Sequence, residues 1–208
     1  MRNFSDILLD PAETAIVIVD HQPQMYFGVE SAPRAVILKN IVALAKTAQV
    51  FGVPCVLTTV AEKEFSGLLL SKIQSVYPGV VPINRTSINA WEDQNLKKAV
   101  LGTRKKNILF AGLWTEACVT FPALSAKSEG HNVYVVTDAC GGATREAHDM
   151  AVSRMTQQGV IPVTWQQVLL EFQRDWNNKD TYNAVMGVVQ EFSGAYGIGV
   201  EYANTMLQ

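Results

Sequence analysis

The chain has 208 residues, 48% of them hydrophobic, and a formal net charge of −2. That length suits one domain with a sizeable core, and the near-neutral charge offers no basic field to nucleic acid or to an anionic membrane surface. No apolar stretch reaches the roughly 20 residues of a membrane span, the opening Met1-Arg-Asn-Phe-Ser-Asp6 lacks the apolar region of a signal peptide, and the three cysteines, Cys55, Cys118 and Cys140, cannot all pair and show no metal spacing, so a reducing cytoplasm is the expected compartment.

In chain order, Thr14-Ala-Ile-Val-Ile-Val-Asp20 reads as the first strand, and Ala35 to Phe51 as a helix closed by Gly52. Val53 to Thr59 is a second strand and Val80 to Asn84 a shorter one. Asp93 to Leu101 is a helix followed by Gly102. The apolar run Asn107 to Ala111 leads into Gly112-Leu-Trp-Thr-Glu-Ala-Cys118-Val119, then a helix from Thr120 closed by Gly130. A strand over Asn132 to Asp138, a helix over Ala147 to Gln158 with Gly159 behind it, and a short strand Val160 to Val163 follow. Glycine at each helix end matches a left-handed cap. The strands are apolar without polar alternation, as expected when both faces are covered. This alternation predicts an α/β fold, with a parallel sheet between helical layers and right-handed crossovers. The chain reads as a single domain, 1–208. Residues 165–208 form an aromatic-rich helical extension: an amphipathic Trp165 to Trp176, a helix over Thr181 to Phe192, then the glycine-rich Ser193 to Gly199 with no further strand. It packs on its own domain or on a neighbouring subunit.

Ligands of such sheets bind outside the carboxyl ends of the strands. Asp20, Arg85, Cys118 and Asp138 all fall there. Cys118 lies where a buried strand turns into a helix. Free N–H groups and the helix dipole favour a thiolate at such a turn, and the thiolate is the nucleophile. Pro122 is tolerated if the regular helix starts near Thr120. Asp20 has the position and chemistry to take the thiol proton and return it to a leaving group. Arg85 would hold Asp20 ionised. Each has a plainer reading: a buried structural cysteine, a loop-holding carboxylate, a surface ion pair. His21 points away from its neighbour Asp20 and reads as structural. Asp138 reads as a loop anchor, Glu116 as a helix cap, and Trp91, Trp114 and Phe121 as walls of a small, partly apolar cleft. The first strand is followed by Asp20-His-Gln-Pro-Gln rather than G-x-G-x-x-G, which argues against a dinucleotide-dependent oxidoreductase.

The series Ile-Val-Asp20-His-Gln, Asn-Arg85-Thr-Ser-Ile-Asn-Ala-Trp91, Gly112-Leu-Trp-Thr-Glu-Ala-Cys118-Val and Val-Val-Thr-Asp138-Ala resembles the isochorismatase-like cysteine hydrolases. Ile88-Asn-Ala-Trp91-Glu-Asp, Phe121-Pro-Ala-Leu-Ser-Ala126 and Arg174-Asp-Trp176 are similar to the YcaC-type subgroup; the likeness runs over about residues 8 to 178. It implies a Rossmann-like three-layer α/β/α fold with a six-stranded parallel sheet, and a triad with Cys118 as nucleophile and Asp20 as acid and base. Arg85 stands where most of the superfamily has lysine; it keeps the charge but cannot shuttle a proton. The resemblance also implies a non-proline cis peptide at Leu113–Trp114, aiming the Trp114 and Cys118 N–H groups at an oxyanion, and a homo-oligomer, an octamer. The pocket is expected to draw on Gln22, Asn89, Trp91, Thr115 and Phe121. Residues 22 to 85 contain no histidine, so the metal site of the nicotinamidase branch is not expected, and no cofactor is. True isochorismatases lack the cysteine, which points to a small molecule with an amide-like C–N bond, cleaved through a thioester. The alternative is a non-catalytic oligomeric binding protein on the same fold.

Overall fold

The computed structural model describes residues 8–206; the opening segment weighed above as a leader lies outside them. Six strands make one all-parallel sheet: β1 (Thr14–Val19), β2 (Cys55–Val60), β3 (Ile83–Arg85), β4 (Asn107–Gly112), β5 (Asn132–Val136) and β6 (Ile161–Val163). Their order is β3-β2-β1-β4-β5-β6. The chain winds outward from β1 through β2 to β3, then restarts on the other side at β4. The crevice between β1 and β4 is therefore the switch point where such sheets hold ligands.

The helices are α1 (Pro23–Phe27), α2 (Arg34–Val50), α3 (Ser71–Gln74), α4 (Gln94–Gly102), α5 (Thr120–Ser128), α6 (Arg145–Gln157), α7 (Trp165–Gln173), α8 (Lys179–Phe192) and α9 (Ala195–Met206). Helix α2 buries Ile37, Ile41, Leu44, Ala45 and Ala48, a stripe at helical spacing, and packs against α7 and α8. Helices α4, α5 and α6 pack on β2, β5 and β6 in turn, forming the opposite layer. Every residue of β1 and β4 is buried, which explains the apolar run that follows Thr14 in one and Asn107 in the other. Among the described residues no helix is long and apolar enough to cross a membrane.

Several boundaries differ from the sequence reading, each for a local reason. Asp20 is not part of β1: it turns into the left-handed region at φ 54. Thr137–Ala139 is a tight 3-10 turn rather than the end of β5. Gly102 stays inside α4, and Arg104 takes the left-handed conformation at φ 57 instead. Helix α7 stops at Arg174, φ 60, short of Trp176. The glycine-rich segment after Phe192 forms α9: Gly194 alone breaks the chain at φ 56, and Gly197 lets α9 cross α8 closely, since a Cβ there would sit 2.7 Å from the Val189 and Gln190 carbonyl oxygens.

Candidate functional site

β1, β3 and the loop after β4 deliver three side chains to one edge of the sheet. Asp20 follows β1 directly, its N–H bonded to the Thr58 carbonyl at 3.0 Å and its carbonyl accepting from the Gln22 N–H at 2.8 Å. Arg85 ends β3 and donates from Nη2 to Asp20 Oδ2 at 2.7 Å, both side chains fully withdrawn from solvent. Its Nη1 donates to the Ser87 carbonyl at 2.7 Å. Cys118 lies in a π-helical turn, Thr115–Val119, just ahead of α5, with its buried thiol within electrostatic reach of Asp20 and Arg85. Asp20 Oδ1 and Arg85 Nε are buried with no hydrogen-bond partner among the described residues, so acceptor and donor capacity remain at this point.

The electrostatics depart from the thiolate expected above. Burial pushes the Cys118 thiol up to about 12; the neighbouring Asp20 charge adds to it, and Arg85 and the Trp114 backbone pull back less strongly. A helix dipole contributes typically about 0.3–1 kcal/mol, whereas full burial moves a group by several pH units. Desolvation wins. Burial also raises Asp20 to about 6, against the opposing pull of Arg85 and of the Cys118 thiol. At neutral pH the resting pair is therefore carboxylate and thiol, with a base of near-neutral pKa next to the sulfur.

The Leu113–Trp114 peptide is cis. The Trp114 indole donates to the Met25 carbonyl at 2.8 Å, and its ring lies over Gly28, where a Cβ would meet it at 2.5 Å. The Trp114 backbone is left facing the Cys118 sulfur.

The other expected pocket residues are placed differently. Gln22 is fully buried; its amide nitrogen donates to the Val60 and Gly67 carbonyls and its oxygen accepts from the Val60 N–H at 2.8 Å, so it is a strut between β2 and the following loop. Asn89 caps the turn Ala90–Glu92 through the Trp91 N–H and donates to Glu92 and to Ser125, both at 3.0 Å. Trp91 is buried edge-on to Phe110 and His131, at 6.2 and 5.7 Å between ring centres. His131 precedes β5, at the opposite end of the sheet, so Trp91 is core rather than pocket wall. Thr115 turns its hydroxyl to His148 Nδ1 at 2.8 Å, clamping the nucleophile turn to α6. Phe121, one turn past Cys118, is the most exposed of the five, and Asn89 is half-buried.

Glu116 reaches the Ala143 N–H at 2.9 Å instead of capping α5. His21 pairs through Nδ1 with the Tyr26 hydroxyl at 2.8 Å, and burial lowers it to about 3, which keeps it neutral. Asp138 accepts from the Trp165 N–H at 2.9 Å, an anchor for α7. The sequence reading missed α1 and the turn Glu62–Ser66, which flank the site. Pro23 just inside the start of α1 was the available signal; the turn is set by Ala61 at φ 45, which no motif announces. Cavities of about 400 and 260 Å³ lie elsewhere, along α2 beside α3 and α8 and near Asp138 and His148.

Comparison with known proteins fits this arrangement to a family: the isochorismatase domain matches residues 14–167. The chain belongs to the isochorismatase family of hydrolases. Within it, the chain is 38% identical over 173 residues to the probable hydrolase YcaC of Escherichia coli K12, covering 83% of each. The structure of YcaC from Pseudomonas aeruginosa, with hexane-2,5-diol and covalent acrylamide, superposes with a TM-score of 0.92 at 34% identity over 98% of this chain and all of that one. Escherichia coli YcaC, described as an octameric hydrolase of unknown specificity, superposes over the full length of both chains with a TM-score of 0.93 at 33% identity. The isochorismatase domain ends within α7, but the YcaC likeness continues through α8 and α9.

Proposed function

We propose that this isochorismatase-family hydrolase cleaves an amide-like C–N bond of a small molecule, with Cys118 as nucleophile, Asp20 as proton acceptor and donor, and Arg85 as the fixed charge that positions Asp20. The observation that carries the reading is the fully buried Asp20–Arg85 pair, 2.7 Å apart, whose charges are felt by the buried Cys118 thiol. Buried ion pairs are poor sources of stability, and this one stands at the switch point of the sheet.

In the proposed cycle the Cys118 proton passes to Asp20 as the sulfur attacks the carbonyl carbon. The tetrahedral oxyanion is held by the Trp114 and Cys118 N–H groups. Collapse breaks the C–N bond, the proton on Asp20 goes to the departing amine, and a thioester remains. Water then gives a proton to Asp20 and attacks the thioester, releasing the acid; the proton returns to sulfur. An acceptor near pH 6 suits both directions of transfer. Arg85 takes no part as a proton carrier. Following the octameric relative, the protein is proposed to assemble as an octamer.

Covalent acrylamide in the Pseudomonas relative suggests the probe: a thiol adds across its double bond, sulfur to the terminal carbon and the proton to the other. Acrylamide is expected to mark Cys118, and Cys118→Ala to abolish both this and turnover in a screen of small amides followed by mass spectrometry of the acids released. A wild type that forms no acid from any amide, while Cys118→Ala alters ligand retention, would decide for the non-catalytic binding protein. The thiol's rise to about 12 is the feature that favours that second reading.

A further inference from the structure

The turn that carries Cys118 is held from behind by the segment that opens α6. Gly142 lets that segment come close: a Cβ there would sit 2.6 Å from Glu116 Oε2 and 3.2 Å from the His148 backbone nitrogen. The Thr115 N–H donates to the Gly141 carbonyl at 3.0 Å, and the Ala143 N–H donates to Glu116 at 2.9 Å. Thr144 caps α6 by accepting from the Ala147 N–H at 3.0 Å, which fixes His148 in the opening of the helix. From there His148 Nδ1 meets the Thr115 hydroxyl at 2.8 Å. Thr115 is fully buried, and its hydroxyl has no other partner among the described residues. Burial lowers His148 from its ordinary 6.5, against the pull of Asp149 and Glu116, so at neutral pH the ring is uncharged and Nδ1 can accept the Thr115 O–H.

Thr115 directly follows Trp114, and the two share a rigid peptide plane. The Trp114 carbonyl in that plane accepts from the Ala117 and Val119 N–H groups, on either side of Cys118, at 3.1 and 3.3 Å. Holding Thr115 therefore holds the frame of both N–H groups assigned to the oxyanion, and an error of about 1 Å in such a frame costs on the order of 100-fold in rate. We infer, on the reading of Cys118 as nucleophile given above, that His148 is a positioning residue: through the Thr115 hydroxyl it sets the Trp114 and Cys118 N–H groups where the oxyanion develops. It touches no reacting atom. A clamp that only holds the turn together would serve every reaction of Cys118 alike, whereas His148 matters where an oxyanion forms.

Two reagents separate these roles. With p-nitrophenyl acetate the sulfur attacks the carbonyl carbon through a tetrahedral oxyanion, the C–O bond to p-nitrophenolate breaks, and the thiol proton passes through Asp20 to the departing group, leaving a thioester. Iodoacetamide alkylates sulfur by displacing iodide and forms no oxyanion. Both rates are read at Cys118 at pH 7 by peptide mass spectrometry. In His148→Ala acylation is expected to slow at least about tenfold while alkylation stays within about twofold of wild type. His148→Asn, whose amide oxygen can accept in place of Nδ1, is expected to recover most of the acylation rate. Equal slowing of both reagents overturns the inference, as does acylation that is unchanged in His148→Ala or not recovered in His148→Asn. Should His148→Ala fail to fold, Thr115→Val breaks the same bond from its other end and is read in the same way. A wild type that is alkylated but not acylated at Cys118 overturns the oxyanion role of the turn and leaves Cys118 a nucleophile. A wild type in which iodoacetamide takes Cys55 before Cys118 overturns the nucleophile reading, and the role of His148 with it.

Discussion

Arg85→Met removes the cation from a pair that has no solvent to fall back on. Breaking a buried pair from one side costs about 3–5 kcal/mol, unless the stranded carboxylate escapes by taking a proton. Asp20 is already raised to about 6 from its ordinary 3.8 with Arg85 in place, and removing Arg85 raises it further. A folded-state pKa above the unfolded one means that the stability contributed by the protonated carboxyl is present in acid and lost as pH rises through the folded value. In the wild type that loss ends near pH 6; in Arg85→Met it continues upward. Each further pH unit by which Asp20 is raised adds about 1.4 kcal/mol of loss above pH 6. At pH 5 the carboxyl is protonated in both proteins and this contribution vanishes. Urea denaturation at pH 5 and pH 8, at one protein concentration, should show the gap between wild type and variant widening at the higher pH, by about 1.4 kcal/mol for each pH unit of the rise. A gap that does not change with pH refutes the burial and pairing assigned to Asp20.

Labelling of Cys118 in the wild type should accelerate as pH rises through about 6, where Asp20 becomes able to accept the thiol proton, and Asp20→Asn should flatten that step; a profile rising only near pH 12 would remove Asp20 from the chemistry. Gly112→Ala places a Cβ 2.3 Å from the Val19 carbonyl oxygen in the β1–β4 crevice, so a loss of about 3 kcal/mol in urea or an insoluble product is expected. Gln22→Ala strands the Val60 N–H and the Val60 and Gly67 carbonyls, at about 1–3 kcal/mol for each group left unpaired and buried; it should also slow Cys118 labelling. Trp91→Ala should lower stability by about 3–5 kcal/mol while leaving the half-saturating acrylamide concentration unchanged, since Trp91 packs at the far end of the sheet.

The sheet was legible because its strands announce themselves: β1 and β4 are buried on both faces, so every residue after the polar first one, Thr14 and Asn107, is apolar or small. Tertiary positions of side chains were not. Asn89 and Thr115 lie beside motif residues in sequence, yet cap a turn and clamp α6, because neighbours at a strand end or in a tight turn face different ways. Trp91 follows Arg85 by six residues and still points into the core. The thiolate expectation failed because backbone dipoles are visible in sequence while desolvation is a property of the packed fold. Helix α9 was missed because glycine lowers helix propensity, and its contact with α8 overrides that preference.

The most direct measurement is the order in which iodoacetamide modifies the three cysteines at pH 7, read by peptide mass spectrometry. Burial lifts all three thiols to about 12, and only Cys55 is more than slightly exposed. Accessibility alone would put Cys55 first. Activation by Asp20 predicts Cys118 first, with that precedence lost in Asp20→Asn; Cys55 reacting first in the wild type would contradict the nucleophilic role of Cys118.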